Sequence, residues 1–407
     1  MKALQNTTPK TVTFIIILVL ELSVLARFAC SPNSSTIIVI RPDGSVNPPT
    51  APILRLGATY IFLSDLYAEI TVQRDDVVID GNGFNLKGKS ALNSTGVLLA
   101  NVRNVTVKSI HITNFFFAIK INGSKNCVIT GNNITNSNFS VWIEYSAEIT
   151  VAENVLKNVW CGIALVYSHQ NHISENTFME TEQGITLSWS FQNLIVNNNL
   201  TDNVSNISLA WSNNNTIIGN LVKAKVKGSW HGIRLHSSSN NTLLKNSVEG
   251  TFYAIRLLYN TVNNLIIGNN ISSNSYGIIA WYATNNTIYH NRFIGNIEQA
   301  KCYSFPNKWD NGYKEGGNYW GDYAGVDEKS GSNQDQPGSD GIGDTPYIID
   351  DKNVDHYPFI SSSLKPASNQ IPTFFFILVI SALTLFVTAV LLFLRKERLK
   401  PKDKIKA

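Results

Sequence analysis

A repeat of 22 residues limits what this chain can fold into more than any other feature. In the local pattern apolar-x-x-Asn-x-apolar, the asparagine falls at Asn132, Asn154, Asn176, Asn198, Asn220, Asn246, Asn269 and Asn291. The successive steps are 22, 22, 22, 22, 26, 23 and 22 residues. A second column keeps the same period through Ile119, Val141, Ile163, Ile185, Ile207, Ile233, Ile255 and Ile278, each preceded by a small or turn-tolerant residue. Every unit holds short alternating apolar runs such as GIALVY, GITLSW and GIRLHS. None is long enough for an amphipathic helix, and none can bury its apolar face alone. Stacking one unit per coil meets both constraints, so the pattern predicts an all-β, single-stranded parallel solenoid. A leucine-rich horseshoe would need an L-x-x-L-x-L frame that is missing, and a β-sandwich does not explain a constant period.

The period accounts for the composition. Asparagine makes up 48 of 407 residues. The eight column asparagines are expected at corners, where Asn tolerates left-handed backbone and bonds to the Asn of the next coil. The net charge of +4 arises in the tail, where Arg395–Ala407 holds seven basic residues. Between Ser31 and Gln370 there are 23 basic and 26 acidic side chains, which excludes the basic stripe of a nucleic-acid-binding surface. Four cysteines (Cys30, Cys127, Cys161 and Cys302) form neither a disulfide framework nor a Cys-x-x-Cys site.

The ends point to export and anchoring. Residues 1–30 read as a signal peptide or signal anchor, with Lys2 and Lys10 ahead of an apolar run. Residues 371–394 are uncharged and long enough for a transmembrane helix, and 395–407 form a basic tail expected in the cytoplasm. Between them, 31–96 is expected to be an N-terminal cap and first coil, 97–299 the regular coils, 300–360 a Gly/Asp/aromatic C-terminal cap, and 361–370 a linker. The expected location is a single-pass cell membrane protein with its ectodomain outside. Thirteen Asn-x-Ser/Thr sequons in that ectodomain are candidate glycosylation sites wherever the side chain faces outward.

The phrases IRPDGSVNPPTAPI and VVIDGNGFNL, the repeated GNxI and ENxF coils, and the terminal WDNG, GGNYWGDY, DGIGDTPYIID and YPF carry a family likeness. They resemble the NosD-like, carbohydrate-binding-protein and sugar-hydrolase type of right-handed parallel β-helix, with archaeal cell-surface proteins as the nearest members. The resemblance covers about residues 36–360. It implies polysaccharide binding or cleavage in some members and surface-layer roles in others. The name-giving member implies a periplasmic accessory role in copper-centre assembly.

With the index Val/Ile pointing inward, the residues one and three places later point outward. This selects Trp142 with Glu144, Arg234 with His236, Arg256, and Trp281 as ligand-binding candidates. Arg234 and Arg256 on adjacent coils match a carboxylate of an acidic sugar; the competing reading is a solvated face with Glu249 nearby. Tyr145, Tyr167, Trp189, Trp211, Tyr259 and Tyr282 form an aromatic column, expected to fill the interior unless a bend exposes it for sugar stacking. No cofactor is required by the sequence. Asp335, Asp340, Asp344 and Asp350 in a Gly-rich segment are a candidate Ca²⁺ site.

The outward columns supply only Glu144 and no facing acid, so no catalytic residue is assigned and the reading weighs against an enzyme. The resulting expectation is a membrane-anchored extracellular structural or adhesion module that binds cell-surface glycans or polysaccharide. The alternatives are a polysaccharide lyase or glycoside hydrolase, and an accessory protein docked on a membrane complex.

Overall fold

In the computed structural model, which describes residues 36–360 apart from 225–227 and 304, the chain winds into a right-handed parallel β-helix. Each coil contributes a six-residue strand to a broad sheet and three-residue strands to two narrow sheets. One full coil runs through Phe139–Glu144, Thr150–Ala152 and Val155–Lys157 before rejoining the broad sheet at Cys161–Val166. The broad sheet has 13 strands and the narrow ones 12 and 11. Register repeats from coil to coil: Val141 pairs with Ile163, Ile163 with Ile185, and Ile233 with Ile255. The index residues therefore stack inward, fully buried. Each such aliphatic side chain contributes roughly 1.5–3 kcal/mol by leaving water.

The asparagines form buried ladders. Asn154 Nδ2 donates to Asn176 Oδ1 at 3.0 Å, Asn176 to Asn198 and Asn198 to Asn220, each again at 3.0 Å. The backbone N–H of each also donates to the same oxygen of the next coil. These asparagines do not themselves take up the left-handed conformation expected of them. The preceding residue turns the corner with positive φ: Glu153 (58°), Glu175 (56°), Asn197 (52°) and Lys245 (53°). The amide that follows then satisfies donors that the turn aims inward.

A second ladder was not foreseen. It runs through Asn171, Asn193, Asn215, Asn241, Asn264, Asn286 and Asn307, at the start of the first narrow sheet's strands. Its signal lies in the sequence as an asparagine five residues before the first, as in NHISEN, NTIIGN and NTIYHN.

Both ladders end on one C-terminal hairpin, Tyr347–Asp350 with Asn353–Asp355. Asn307 N–H donates to Asn353 Oδ1 at 2.8 Å, and Asn318 N–H, beyond Asn291, donates to Asp355 Oδ2 at 2.7 Å. Trp309 and Trp320 Nε1–H donate to the same two side chains at 3.2 and 2.8 Å. At the other end, the hairpin of Ile53–Leu56 with Thr59–Phe62 and the antiparallel Val46–Asn47 edge the first coil.

The expected single-pass membrane topology needs correction. Among the described residues, no helix is long and apolar enough to cross a membrane. The expected span 371–394, the signal segment 1–30 and the tail 395–407 all lie outside the described residues. Over the described residues the fold class is accordingly the all-β parallel helix, with no transmembrane helix among them. The cell-membrane location and the membrane or membrane-complex partner, which both rested on that span, lose their structural support. Two sequon asparagines, Asn203 and Asn206, are buried and so cannot carry glycan.

Two predictions concern the ladders and their cap. Asn198→Ala orphans the Asn176 N–H and the Ile173 carbonyl inside the corner, and should cost about 3 kcal/mol in urea unfolding. Asn197→Gly, at the left-handed position beside it, should stay within about 1 kcal/mol of the parent. Burial pushes the Asp355 carboxyl up to about 7, against the Asn318, Trp320 and Tyr357 donors that pull it down. The folded state thus holds a proton that the unfolded chain has lost, and stability falls as pH rises from about 4 to about 7. Asp355→Asn keeps an acceptor and should remove that slope when melting temperatures are measured across the range.

Candidate functional site

The outer face of the broad sheet carries three columns of side chains rather than two. Strand positions four and six point outward as expected. Position one does so as well, because the strand bends after it and positions two and three are both buried. That bend needs a small residue at position two. At Gly232 a Cβ would collide with the Val248 side chain and sit 2.5 Å from the Ala254 carbonyl oxygen. Strict alternation would have sent His231 and Tyr253 inward, so sequence reasoning missed them. The small residue before each index Val/Ile was the available signal.

Following these columns along the sheet gives a map of the face. The coil at His231–His236 presents His231, Arg234 and His236, and the next presents Tyr253, Arg256 and Leu258. Arg234 and Arg256 are direct register partners, about 4.8 Å apart as strands. Like charges opposite one another on neighbouring strands repel. Among the described residues neither has a carboxylate partner, and the Nε of each is buried without any hydrogen bond. Glu249, a sequence candidate for that role, lies on a narrow sheet and pairs with Lys223 at 2.9 Å. Arg256 also sits over the Tyr253 ring at 4.7 Å.

Two imidazoles flank the pair on opposite sides. His231 stacks on Tyr253 at 5.7 Å. His236 packs between Trp211 and Tyr259, at 5.2 and 5.6 Å. Both have a buried Nδ1 with no partner. Burial, then the charges of Arg234 and Arg256, push the His231 ring down to about 4. His236 is lowered by burial and by Arg234, and Arg234 itself by burial and by Arg256. The result is a cationic pocket with neutral imidazoles at its sides. A carboxylate entering it would meet two guanidiniums and relieve their repulsion.

The aromatic column lies outside the core, contrary to the expected interior stack. Tyr145, Tyr167, Trp189, Trp211, Tyr259 and Tyr282 all take left-handed backbone at the corner after the broad sheet. Neighbouring rings lie face to face, as in Tyr145 on Tyr167 at 5.4 Å and Trp189 on Trp211 at 5.5 Å. His236 bridges the gap that Ser237 leaves in the column. Rings within the column, such as Tyr167 and Trp189, have neighbours on both faces, whereas Tyr145 at its end is stacked on one side only and is 63% exposed.

The remaining candidates are dispersed. Trp142 and Glu144 stand four coils from Arg234, and Glu144 is engaged by Trp142, Asn122 and Lys120. Trp281 stacks on Tyr303 at 5.1 Å, one coil beyond Arg256. Asp335 and Asp350 accept hydrogen bonds from near neighbours, Gln336 and Asn353, while Asp340 accepts from Gly331 and Asp344 from Lys329. Among the described residues no three His, Cys, Asp or Glu side chains are grouped to hold a metal.

Comparison with known proteins follows from this geometry. The family model described as "Periplasmic copper-binding protein (NosD)" matches residues 75–230 and 223–325. No curated protein matches the chain. Among solved structures, the A-module of the Azotobacter vinelandii mannuronan C-5 epimerase AlgE6 is similar at 14% identity, over 63% of this chain and 82% of that one, with a TM-score of 0.46. A periplasmic alginate epimerase AlgG mutant gives 15%, 63%, 70% and 0.48 in the same order. An exopolygalacturonase from Thermotoga maritima gives 11%, 63%, 75% and 0.35. These likenesses concern the fold, and none of the matches carries the archaeal cell-surface part of the resemblance.

Copper does not fit the donors present in the described residues. Burial pushes the Cys127 thiol up to about 11 and those of Cys161 and Cys302 up to about 12, so none is poised as a thiolate. His169 stacks on Phe191 and the His172 ring is half-buried; neither belongs to a three-donor group.

The electrostatic account of the pocket is open to direct measurement. Replacing Arg234 or Arg256 by Gln should raise the His231 pKa from about 4 toward the ordinary imidazole value, without reaching it, because burial remains the larger cause. Imidazole NMR titration of the two variants reads this shift.

Proposed function

The chain belongs to the NosD family, and for this member we propose a carbohydrate-active enzyme that acts on a carboxylate-bearing polysaccharide at Arg234 and Arg256. The observation that carries this reading is the pair of unpaired guanidiniums on adjacent strands, set between two imidazoles that stay neutral. The expected non-catalytic adhesion module anchored in a membrane is corrected. It rested on a span outside the described residues and on outward columns whose acid–base groups were Glu144 and His236, to which the third column adds His231 and Tyr253. The solved structures similar in fold are themselves named as enzymes on carbohydrates.

The chemistry follows from the residue types. The two guanidiniums hold the sugar carboxylate and disperse the charge that develops when the neighbouring C–H is deprotonated. His231, neutral at physiological pH, accepts that proton. The bound carboxylate offsets the cations that depress His231, so the base strengthens as substrate docks. The carbanion then either takes a proton from water on its other face while His231 releases its own to solvent, inverting the centre, or expels the glycosidic oxygen to leave a double bond. In the second case the departing oxygen takes up the proton. Both outcomes balance without an oxidant or a second substrate.

Hydrolysis is disfavoured by placement. It needs two carboxylates within roughly 5–9.5 Å of each other across the scissile bond. On the outer face Glu144 is tied to Lys120 at 3.1 Å and Glu298 to Lys301 at 3.0 Å, seven strands apart, so the two do not face each other across one bond.

The test is incubation of the full chain in deuterated water with a panel of polyuronates and, as controls, neutral glucans. Deuterium at the carbon beside the carboxylate, or ultraviolet absorbance of a new conjugated double bond, is expected with polyuronates alone. Arg234→Ala and Arg256→Ala should each lower kcat/KM by about 10²-fold or more. His231→Gln should abolish exchange while binding persists. Absence of both signals with every polyuronate, from a folded protein, overturns the reading.

A further inference from the structure

A second cluster occupies the same outer face and remains unexplained by the carboxylate site. Phe117 and Phe139 in the first outward column stack at 5.2 Å, and Trp142 in the second meets Phe139 edge-on at 4.9 Å. Trp160, from the corner beside them, packs on Phe139 at 5.0 Å. With Phe116, 4.8 Å from Phe117, five half- to fully buried aromatic side chains thus gather on the solvent side of a sheet, where smaller residues fill the coils that follow. The core has no use for them, because the inward positions of these strands are filled by Ile119, Val141 and Ile163.

The indole of Trp142 is fixed rather than mobile. Its Nε1–H donates to Glu144 Oε2 at 3.0 Å. Glu144 Oε1 accepts from Asn122 at 2.8 Å and pairs with Lys120 at 3.1 Å. Lys120 in turn lies over the Phe117 ring at 5.0 Å. The acid and the base neutralise each other, so this end has no net charge to bind a carboxylate. It offers a rigid aromatic surface with hydrogen-bonding groups at its rim, the chemistry that receives the C–H face of a sugar ring. Holding the ring in place beforehand removes part of the ordering cost of binding.

Register connects this cluster with the arginine pair. The column from Trp142 to Arg234 passes through Ala164, Thr186 and Ser208, and the column beside it through Val166, Ser188 and Ala210. These small side chains leave a low floor that spans four strand steps, about 19 Å. An extended polymer lying along the coil axis reaches both ends without obstruction from the sheet.

We propose that Phe117, Phe139, Trp142 and Trp160 form a distal subsite for a sugar ring of the same polysaccharide chain whose carboxylate is held by Arg234 and Arg256. The proposal rests on the reading of that site as polyuronate-binding, and it adds a residue set and a minimum substrate length.

Size-fractionated polygalacturonate and polymannuronate serve as probes of the full chain by titration calorimetry. Trp142→Ala should weaken binding of the long fractions about tenfold, and leave unchanged that of oligomers too short to span about 19 Å. Trp142→Phe, which keeps a ring, should fall between parent and alanine variant, and its melting temperature controls for folding. Tyr167→Ala, in the corner column with its ring faces covered, should behave as the parent with both fractions. Equal effects of Trp142→Ala on long and short fractions, or none on either, overturn the subsite. The two readings fail separately. Turnover without a length-dependent Trp142 effect removes only the subsite, whereas length-dependent binding without turnover removes only the catalytic reading. A parent that binds neither probe removes both.

Discussion

Every coil in this protein leaves polar backbone groups inside its corners; side-chain amides of asparagine satisfy them at the two corners around the first narrow sheet, and serine hydroxyls do so at the corner after the broad sheet. One Asn accepts from the backbone and side chain of the coil before it and donates to the coil after it. It also reaches a carbonyl in the corner of the coil before it, as Asn198 does at Ile173. Neither a hydroxyl nor a carboxylate offers an acceptor and two donors in so short a side chain. A ladder built this way is directional, so it must begin and end on something. Asn353 and Asp355 end both ladders on a single hairpin, with Trp309 and Trp320 adding donors to the same atoms. The C-terminal cap is therefore a continuation of the corners, more than a plug over the core.

The constancy that the ladders impose also organises the outer face. Because register repeats without slippage, a side chain at a given strand position meets its counterparts at about 4.8 Å intervals. Such columns favour like neighbours when those neighbours attract, as in the stacked aromatic corner. Two arginines in succession run against that tendency, since repulsion is strongest between direct register partners. Repulsion of this kind persists where an anion is expected to relieve it.

The coil count, the period and the inward Val/Ile column were legible because stacking demands identical spacing at every level. The first asparagine column was legible for the same reason, although its backbone conformation was not. The left-handed turn belongs to the preceding residue, which varies among Glu, Asn, Lys and Gly and so leaves no consensus. Outward positions were only partly legible. Alternation holds for Arg234 and His236, after the index residue Ile233, and fails ahead of it, where Gly232 lets the strand bend and turns His231 outward. Of the two imidazoles only His236 was legible beside the arginines, because His231 stands in the column ahead of the bend. The aromatic corner column had the same cause of error, a bend that the alternating pattern does not register. Membrane anchoring was inferred from 371–394 with the basic tail behind it, and both lie outside the described residues.

The single four-residue excess in the period falls between Asn220 and Ile233, directly ahead of the coil that carries His231, Arg234 and His236. A solenoid can absorb extra residues at a corner without disturbing the register of the sheets on either side, and here Ser205 still pairs with His231 and Ile207 with Ile233. The excess is therefore spent on the corner beside the first outward column, where Trp230 emerges 56% exposed and packs on Phe252 at 5.6 Å. Phe252 continues onto Tyr253, the neighbour of His231 and the ring beneath Arg256. Between Asn132 and Asn291 only this interval exceeds 23 residues, and it leads into the coil where Trp230 and Phe252 wall one side of the place where cations and neutral imidazoles meet. A structural repeat gains nothing from such an interruption. A site that must enclose one sugar of a long chain does, because the wall limits water and fixes the side from which the ring enters.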